Sequence, residues 1–253
     1  MKKKFTIIAH RGFSEKSPEN TFPAFDLAIK HGFHNFEFDV QLTKDKVPVV
    51  IHDYNLIRTT GIEGLISEMN FSDLYKIDAK NNFEVDQGDY SIPTLDDLLK
   101  RYNKISNLHL ELKSRDQDLS EIVLESLESN GWLGSKKGIY EIGGITISSF
   151  FIEQLIRFRK FNKEERTAWL LEKISDIDLE ICLEQKIDLI CPRAKFSDKI
   201  SVEKAQNKGI LVRNWGVSSS EDLIMSYNSN STGTTCDWPL RGKEIIKNYN
   251  EII

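Results

Sequence analysis

The chain has 253 residues, of which 40% are hydrophobic and 29% are charged, as in an ordinary soluble globular protein with a sizeable core. A net charge of -5 gives no reason to expect a nucleic-acid partner. No stretch approaches the roughly 18 to 20 consecutive apolar residues that a membrane-spanning helix needs.

The first predicted element is a short apolar strand, Phe5 to Ala9. A loop follows, and then a helix over about residues 20–30. Residues 19–21, Glu-Asn-Thr, offer capping groups for its N-terminus, and Gly32 ends it.

The second predicted strand is Asn35 to Val40, and a further β run over residues 47–51 leads into His52. Residues 54–92 then break the regular pattern, because they are rich in Asn, Asp, Gly and Ser. A connection of this length is unusual unless it is functional. We therefore predict a small insertion at residues 54–92 that caps the site, within a single domain spanning residues 1–253.

From residue 92 onward, predicted helices and strands alternate. The further strands are predicted at residues 108–112, 144–148, 167–171, 187–191, 210–214 and 232–236. About eight strands alternating with helices predict a TIM (β/α)8 barrel, an α/β fold, with a small insertion after the second strand. An open doubly wound sheet is the competing fold, but the first turn lacks the glycine pattern that such a sheet would carry.

Polar residues follow the predicted strands at their C-terminal ends, where active sites of such barrels lie. The residues at these positions are His10, Glu37, Asp39, Glu111, Lys113, Arg193, Trp215 and Asp237. Glu37 and Asp39 are two residues apart on one strand, so their side chains point to the same face. The sequence therefore predicts that these groups gather at one mouth of the barrel.

Three carboxylates from neighbouring strands, Glu37, Asp39 and Glu111, offer only oxygen ligands. Such a set favours a hard divalent cation, Mg²⁺ or Ca²⁺, over zinc. We expect one cation at this position, because close carboxylates repel each other unless a cation lies between them.

The remaining candidates add positive charge and proton transfer. Arg11 and Lys113 lie close to the predicted metal site and suit a phosphate-bearing anion. His10 and His52 can take and give protons at neutral pH. Together these residues predict metal-assisted cleavage of a phosphodiester, in which one histidine activates the attacking group and the other protonates the leaving alkoxide.

These residues belong to a series of motifs that resembles the glycerophosphodiester phosphodiesterases. The motifs are HRG at 10–12, PENT at 18–21, EFDV at 37–40, QLTKD at 41–45, PVVIHD at 48–53, RTTG at 58–61, IPTL at 92–95 and ELK at 111–113. Weaker similarities at ISSF (147–150), Trp215 and TCDWP (235–239) continue to the end of the chain.

The resemblance implies a TIM barrel, a divalent metal on the three carboxylates, acid/base roles for His10 and His52, and phosphate contacts from Arg11 and Lys113. It implies a small-molecule substrate, a glycerophosphodiester cleaved to sn-glycerol 3-phosphate and an alcohol, and a contact of Trp215 with the glycerol part. The segment NWGVSS around Trp215 and STGTTCDWP before the last helix depart from the family pattern. These departures concern substrate preference more than the reaction.

Two other readings remain open. A phospholipase D of the sphingomyelinase or lysophospholipid type shares the barrel, the metal and the histidines, although such secreted relatives carry disulfides. A catalytically silent protein that binds phosphodiesters or metal would lack one of the core residues, and none is missing. The sequence indicates neither the oligomeric state nor the alcohol that is released.

The three cysteines, Cys182, Cys191 and Cys236, are scattered and form neither a disulfide framework nor a CxxC motif. They suit a reducing compartment. The expected location is therefore cytoplasmic.

Overall fold

The computed structural model describes residues 5–81, 83–85, 88–134 and 137–252. Nine strands lie in these residues. They are β1 (Thr6–His10), β2 (Asn35–Leu42), β3 (Pro48–Val50), β4 (Asn107–Leu112), β5 (Ile145–Ser149), β6 (Arg166–Leu171), β7 (Leu189–Pro192), β8 (Leu211–Val212) and β9 (Gly233–Cys236).

All strands except β3 pair in parallel in the order β8-β7-β6-β5-β4-β2-β1-β9. A parallel bridge between Asn214 and Thr234 joins the two ends of this order and closes the barrel. Strand β8 is shorter than predicted, because the backbone N–H groups of residues 213–215 donate alternately to the strand on either side. The predicted TIM barrel is confirmed.

Helices follow the strands and cover the outside of the barrel. The described helices are α1 (Phe22–Lys30), α2 (Ile57–Thr60), α3 (Phe71–Leu74), α4 (Leu95–Tyr102), α5 (Leu119–Ser129), α6 (Ile152–Phe161), α7 (Asp176–Glu184), α8 (Lys199–Asn207), α9 (Ser220–Asn228) and α10 (Pro239–Ile252). Among the described residues, none of these helices is both long enough and apolar enough to cross a membrane.

Strand β2 shows how the sequence pattern places the acids. Phe36 stacks on Phe25 of α1 with ring centroids 4.8 Å apart, so the even-numbered residues of β2 pack against the helix layer. The alternate residues, Glu37 and Asp39, therefore face the interior of the barrel. Both carboxylates are buried, at 3% and 0% exposure.

Strand β3 pairs antiparallel with the end of β2 and leads into the insertion at residues 54–92. The segment that follows contains α2 and α3, and it has its own apolar cluster. The buried members of that cluster are Val49, Ile51, Leu56, Ile66, Leu74, Ala79 and Ile92. The insertion thus packs as a small unit attached to the barrel through the hairpin of β2 and β3.

Gly12 forms the tight turn directly after β1. Its φ of +81° lies in the left-handed region, and a Cβ atom there would lie 2.7 Å from the backbone carbon of Ala24 in α1. Any larger residue would push α1 away from the turn that carries His10 and Arg11.

We expect Gly12→Ala to lower the free energy of unfolding by about 2–4 kcal/mol, because backbone strain adds to a clash with α1. Gly209→Ala is the matched control, since Gly209 has a φ of +79° with nothing within 4 Å of its added Cβ. The control should lose only about 1–2 kcal/mol. Urea denaturation measures both values, and equal losses would contradict the clash.

Candidate active site

The C-terminal ends of the barrel strands surround a cavity of about 140 Å³. Eight residues have a predicted metal, proton-transfer, phosphate or substrate role, and seven of them line this cavity: His10, Arg11, Glu37, His52, Glu111, Lys113 and Trp215. The eighth, Asp39, is buried in one cluster with Glu37 and Glu111. The structure therefore brings all eight predicted site residues together.

The three acids converge because of strand register. Glu111 on β4 pairs directly with Asp39 on β2, and Glu37 lies two residues earlier on the same strand. One carboxylate oxygen from each residue lies within 4.8 Å of the other two. Asp39 Oδ1 is buried and has no hydrogen-bond partner among the described residues. An all-oxygen cluster with an unsatisfied buried oxygen fits a hard divalent cation.

The pKa values of the acids reflect burial, mutual repulsion and the nearby cations. Burial and the charge of Asp39 raise the pKa of Glu37 to about 7, and the same two causes raise the pKa of Glu111. Burial acts in the same direction on Asp39, but the charges of Arg11 and Lys113 outweigh it and hold its pKa below the usual range. Added positive charge in this cluster would stabilise all three carboxylates.

Arg11 and Lys113 supply the nearest cations. Arg11 Nη1 donates a hydrogen bond to Glu19 at 2.9 Å, and its Nε lies 3.2 Å from Asp39 Oδ2. Lys113 Nζ donates to Glu111 Oε1 at 2.8 Å and lies 3.5 Å from Asp39 Oδ1. Both cations are thus held at the edge of the acidic cluster, where an anionic ligand would also meet them.

His10 lies between two carboxylates. Its Nδ1 is 2.6 Å from Asp237 Oδ1, and its Nε2 is 3.7 Å from Glu37 Oε2. Ser14 also donates a hydrogen bond to Asp237 Oδ1. Burial and the charge of Arg11 lower the pKa of His10, but the hydrogen bond to Asp237 and the charges of Glu37 and Asp237 outweigh them and raise it.

His52 has a similar partner of its own. Its Nδ1 is 2.5 Å from Asp53 Oδ1, while Asp53 accepts a hydrogen bond from Arg58, which also donates twice to Glu19 at 2.7 Å. Gln41 Nε2 donates to the carbonyl oxygens of residues 51–53 at 2.8–3.1 Å and holds this segment against β2. Burial, and the charges of nearby cations, lower the pKa of His52 despite the nearby charge of Asp39.

Glu19 and Asn20 contact residues of the site rather than the N-terminus of α1. Thr21 occupies the N-cap of α1 but makes no side-chain capping bond. Asn20 has a positive φ of 58° and donates from Nδ2 to Asp39 at 2.9 Å. Glu19 binds Arg11 and Arg58. The expectation that all three residues offer helix caps is therefore wrong, because two of them are recruited by the charges of the site.

Trp215 stands on the wall of the cavity opposite the acids. Its Nε1 donates to the carbonyl oxygen of Leu171 at 2.9 Å. Its ring meets Phe150 edge to face at 4.8 Å, and the Arg193 guanidinium lies 5.3 Å from it. These contacts fix an apolar surface beside the polar half of the cavity.

Several side chains that support the site received no role from the sequence. Asp237 is placed at the mouth only by its position after the last strand, Asp53, Arg58 and Gln41 belong to motifs without an assigned role, and Glu19 is predicted only as a helix cap. Some partners are distant in the sequence, such as Asp237 for His10 and Glu19 for Arg58. Asp53, which directly follows His52, is the one local signal of a carboxylate that holds an imidazole.

The arrangement combines the parts that phosphoryl chemistry requires. Two imidazoles, each oriented by a carboxylate at Nδ1, leave Nε2 for proton transfer. Two cations and an acidic cluster that fits a divalent ion face the same cavity.

Comparison with known proteins agrees with this geometry. The family model described as the glycerophosphoryl diester phosphodiesterase family matches residues 10–228. The protein YhdW of Bacillus subtilis (strain 168) is 40% identical over 162 residues, which are 64% of this chain and 64% of YhdW. A glycerophosphodiester phosphodiesterase of the same organism is 27% identical over 256 residues, covering 96% of this chain and 86% of its own.

The fold is also similar to that of a solved Oleispira antarctica phosphodiesterase in complex with the product sn-glycerol-3-phosphate. The TM-score is 0.83 at 24% identity, and the match covers 96% of both chains. Since the family match extends from the first histidine of the site almost to the last strand, the chain belongs to the glycerophosphoryl diester phosphodiesterase family.

Proposed function

We propose that this chain hydrolyses glycerophosphodiesters to sn-glycerol 3-phosphate and an alcohol. The observation that carries the proposal is the convergence of two carboxylate-bound histidines, two cations and three buried acids on one small cavity. The family membership and the product named for the Oleispira antarctica structure support the same substrate class.

Glu37, Asp39 and Glu111 would hold one divalent cation, Mg²⁺ or Ca²⁺. The fit rests on the oxygen-only donor set, the spacing of the three carboxylates and the unsatisfied oxygen of Asp39. When bound, the cation would neutralise charge on the phosphoryl oxygens. Arg11 and Lys113 would bind the same phosphoryl group from the edge of the cluster.

His10 and His52 would transfer the protons. Asp237 and Asp53 hold their Nδ1 atoms, so each imidazole would act through Nε2. One histidine removes a proton from the attacking hydroxyl or water, and the other gives a proton to the leaving alkoxide. Trp215 would pack against the glycerol part of the substrate.

We also propose that residues 1–253 act as one catalytic domain and that residues 54–92 cap the site. Tyr54 supports the cap, because its hydroxyl donates a hydrogen bond to the carbonyl oxygen of Lys113 at 2.8 Å. Residues 82, 86 and 87 of this segment lie outside the described residues.

A cytoplasmic location belongs to the same proposal. Cys182, Cys191 and Cys236 are free and buried, which suits a reducing compartment.

A coupled assay for sn-glycerol 3-phosphate tests the reaction. With glycerophosphocholine or glycerophosphoethanolamine we expect release that EDTA abolishes and that added Mg²⁺ or Ca²⁺ restores. Glu111→Gln should weaken metal binding in calorimetry, whereas Glu128→Gln, on the exposed face of α5, should not. Release that persists in EDTA would contradict the metal, and preferential cleavage of lysophosphatidylcholine would favour the phospholipase D reading.

His10→Ala and His52→Ala should each lower kcat by about 10²- to 10⁴-fold, because each removes one proton-transfer group. The control is His34→Ala, at the opposite end of the barrel, where His34 contacts the carbonyl oxygen of Ile105. Circular dichroism checks that the variants fold. Near-normal turnover in either site variant would remove that histidine from the mechanism.

Two routes of hydrolysis differ in the group that attacks the phosphorus atom. We expect the glycerol 2-hydroxyl to attack first and form a cyclic phosphate that water then opens. Rapid-quench sampling with phosphorus NMR should detect the cyclic species before sn-glycerol 3-phosphate accumulates. If none forms, and oxygen from labelled water enters the first product, direct attack by water replaces this route.

A further inference from the structure

The floor of the cavity carries a cation that the proposed mechanism does not use. Arg213 is 1% exposed and lines the cavity together with His10, Glu37 and Glu111. Its neighbour Asn214 binds Ser226 and the carbonyl oxygen of Pro192, which places Asn214 on the outer face of the strand. Arg213, on the alternate face, therefore points into the barrel.

The protein satisfies only part of the Arg213 guanidinium, which forms a side-chain hydrogen bond with Cys191. Its Nε and Nη1 are buried and have no hydrogen-bond partner among the described residues. Nor does any described carboxylate come within ion-pair distance of it, whereas Arg11 and Lys113 are both paired with acids. A buried cation with free donors is costly unless a ligand or water completes it.

The groups below Arg213 do not compensate its charge. His109 is fully buried, and neither of its ring nitrogens has a hydrogen-bond partner among the described residues. Burial raises the pKa of Tyr140 to about 12 and also raises that of the Cys191 thiol. Glu37 is the acid whose charge reaches Arg213, and the proposed cation would share that acid.

We infer that Arg213 binds an anionic phosphoryl oxygen of the substrate, as a third cationic contact beyond Arg11 and Lys113. A neutral hydroxyl could accept its hydrogen bonds but would leave its charge uncompensated, whereas a phosphoryl oxygen does both. This inference rests on the proposed function, since the phosphoryl group is the anion that the proposed substrate carries.

The test compares Arg213→Met with Arg166→Met. Arg166 is a second buried arginine inside the barrel, but it donates to the carbonyl oxygen of Lys137 and does not line the cavity. Calorimetry with inorganic phosphate and with sn-glycerol 3-phosphate, both in Mg²⁺, measures binding without turnover. Arg213→Met should weaken binding of both probes by about 10- to 100-fold, and Arg166→Met should leave both nearly unchanged.

Stability separates this role from a structural one. Arg213→Met should unfold at the same or a higher urea concentration than the wild type, because it removes an unpaired buried charge. In Arg213→Ala, added guanidinium should restore part of the lost activity. Undiminished phosphate binding in Arg213→Met, or a loss confined to sn-glycerol 3-phosphate, would overturn the inference.

Measurements on the wild type distinguish a failure of the proposed function from a failure of the Arg213 contact. If the wild type binds inorganic phosphate through Arg213 but cleaves no glycerophosphodiester, the proposed substrate fails and the phosphoryl contact stands. If the wild type cleaves glycerophosphodiesters and Arg213→Met does so with unchanged KM and kcat, the contact fails alone.

Discussion

The repulsion among three buried carboxylates is the constraint around which the rest of the site is arranged. Strand register holds Glu37, Asp39 and Glu111 together whatever their charge, because their backbones belong to the continuous pairing of β2 with β4. A folded barrel can keep all three carboxylates ionised only with positive charge nearby. Arg11 and Lys113 supply part of that charge, and Asn20 supplies a hydrogen bond.

From this cluster, paired charges extend outward to both histidines. Arg11 reaches Glu19, Glu19 reaches Arg58, and Arg58 reaches the carboxylate that binds His52. His10 is held separately by Asp237, which comes from the end of the last barrel strand. The two imidazoles thus have equivalent partners that the fold supplies from opposite ends of the chain. Their pKa values move in opposite directions, because the hydrogen bond to Asp237 and the charges of Glu37 and Asp237 together outweigh burial at His10, whereas burial prevails at His52.

The sequence predicted the barrel and the eight candidate residues because both follow local rules. Strands show their apolar alternation, and the rule that active sites lie at the C-terminal ends of strands selects the polar residues that follow them. The partners of those residues could not be predicted in this way. Asp237 and His10 are joined only when the barrel closes, and only the structure shows that Arg213 Nε and Nη1 have no hydrogen-bond partner among the described residues. Residues 19–21 were misread because Glu, Asn and Thr suit a helix cap as well as a charged site.

The position of His52 outside the barrel wall affects its distance from His10. His52 follows β3, a strand that is not part of the barrel wall. Its imidazole therefore lies on the hairpin that leads into the insertion. His10 therefore lies at the end of a barrel strand, whereas His52 lies on the attached hairpin, which Gln41 holds by three hydrogen bonds. The distance between the two imidazoles thus depends on how the hairpin packs against the barrel. Substitutions in the apolar cluster of the insertion can change that distance without altering a residue of the cavity.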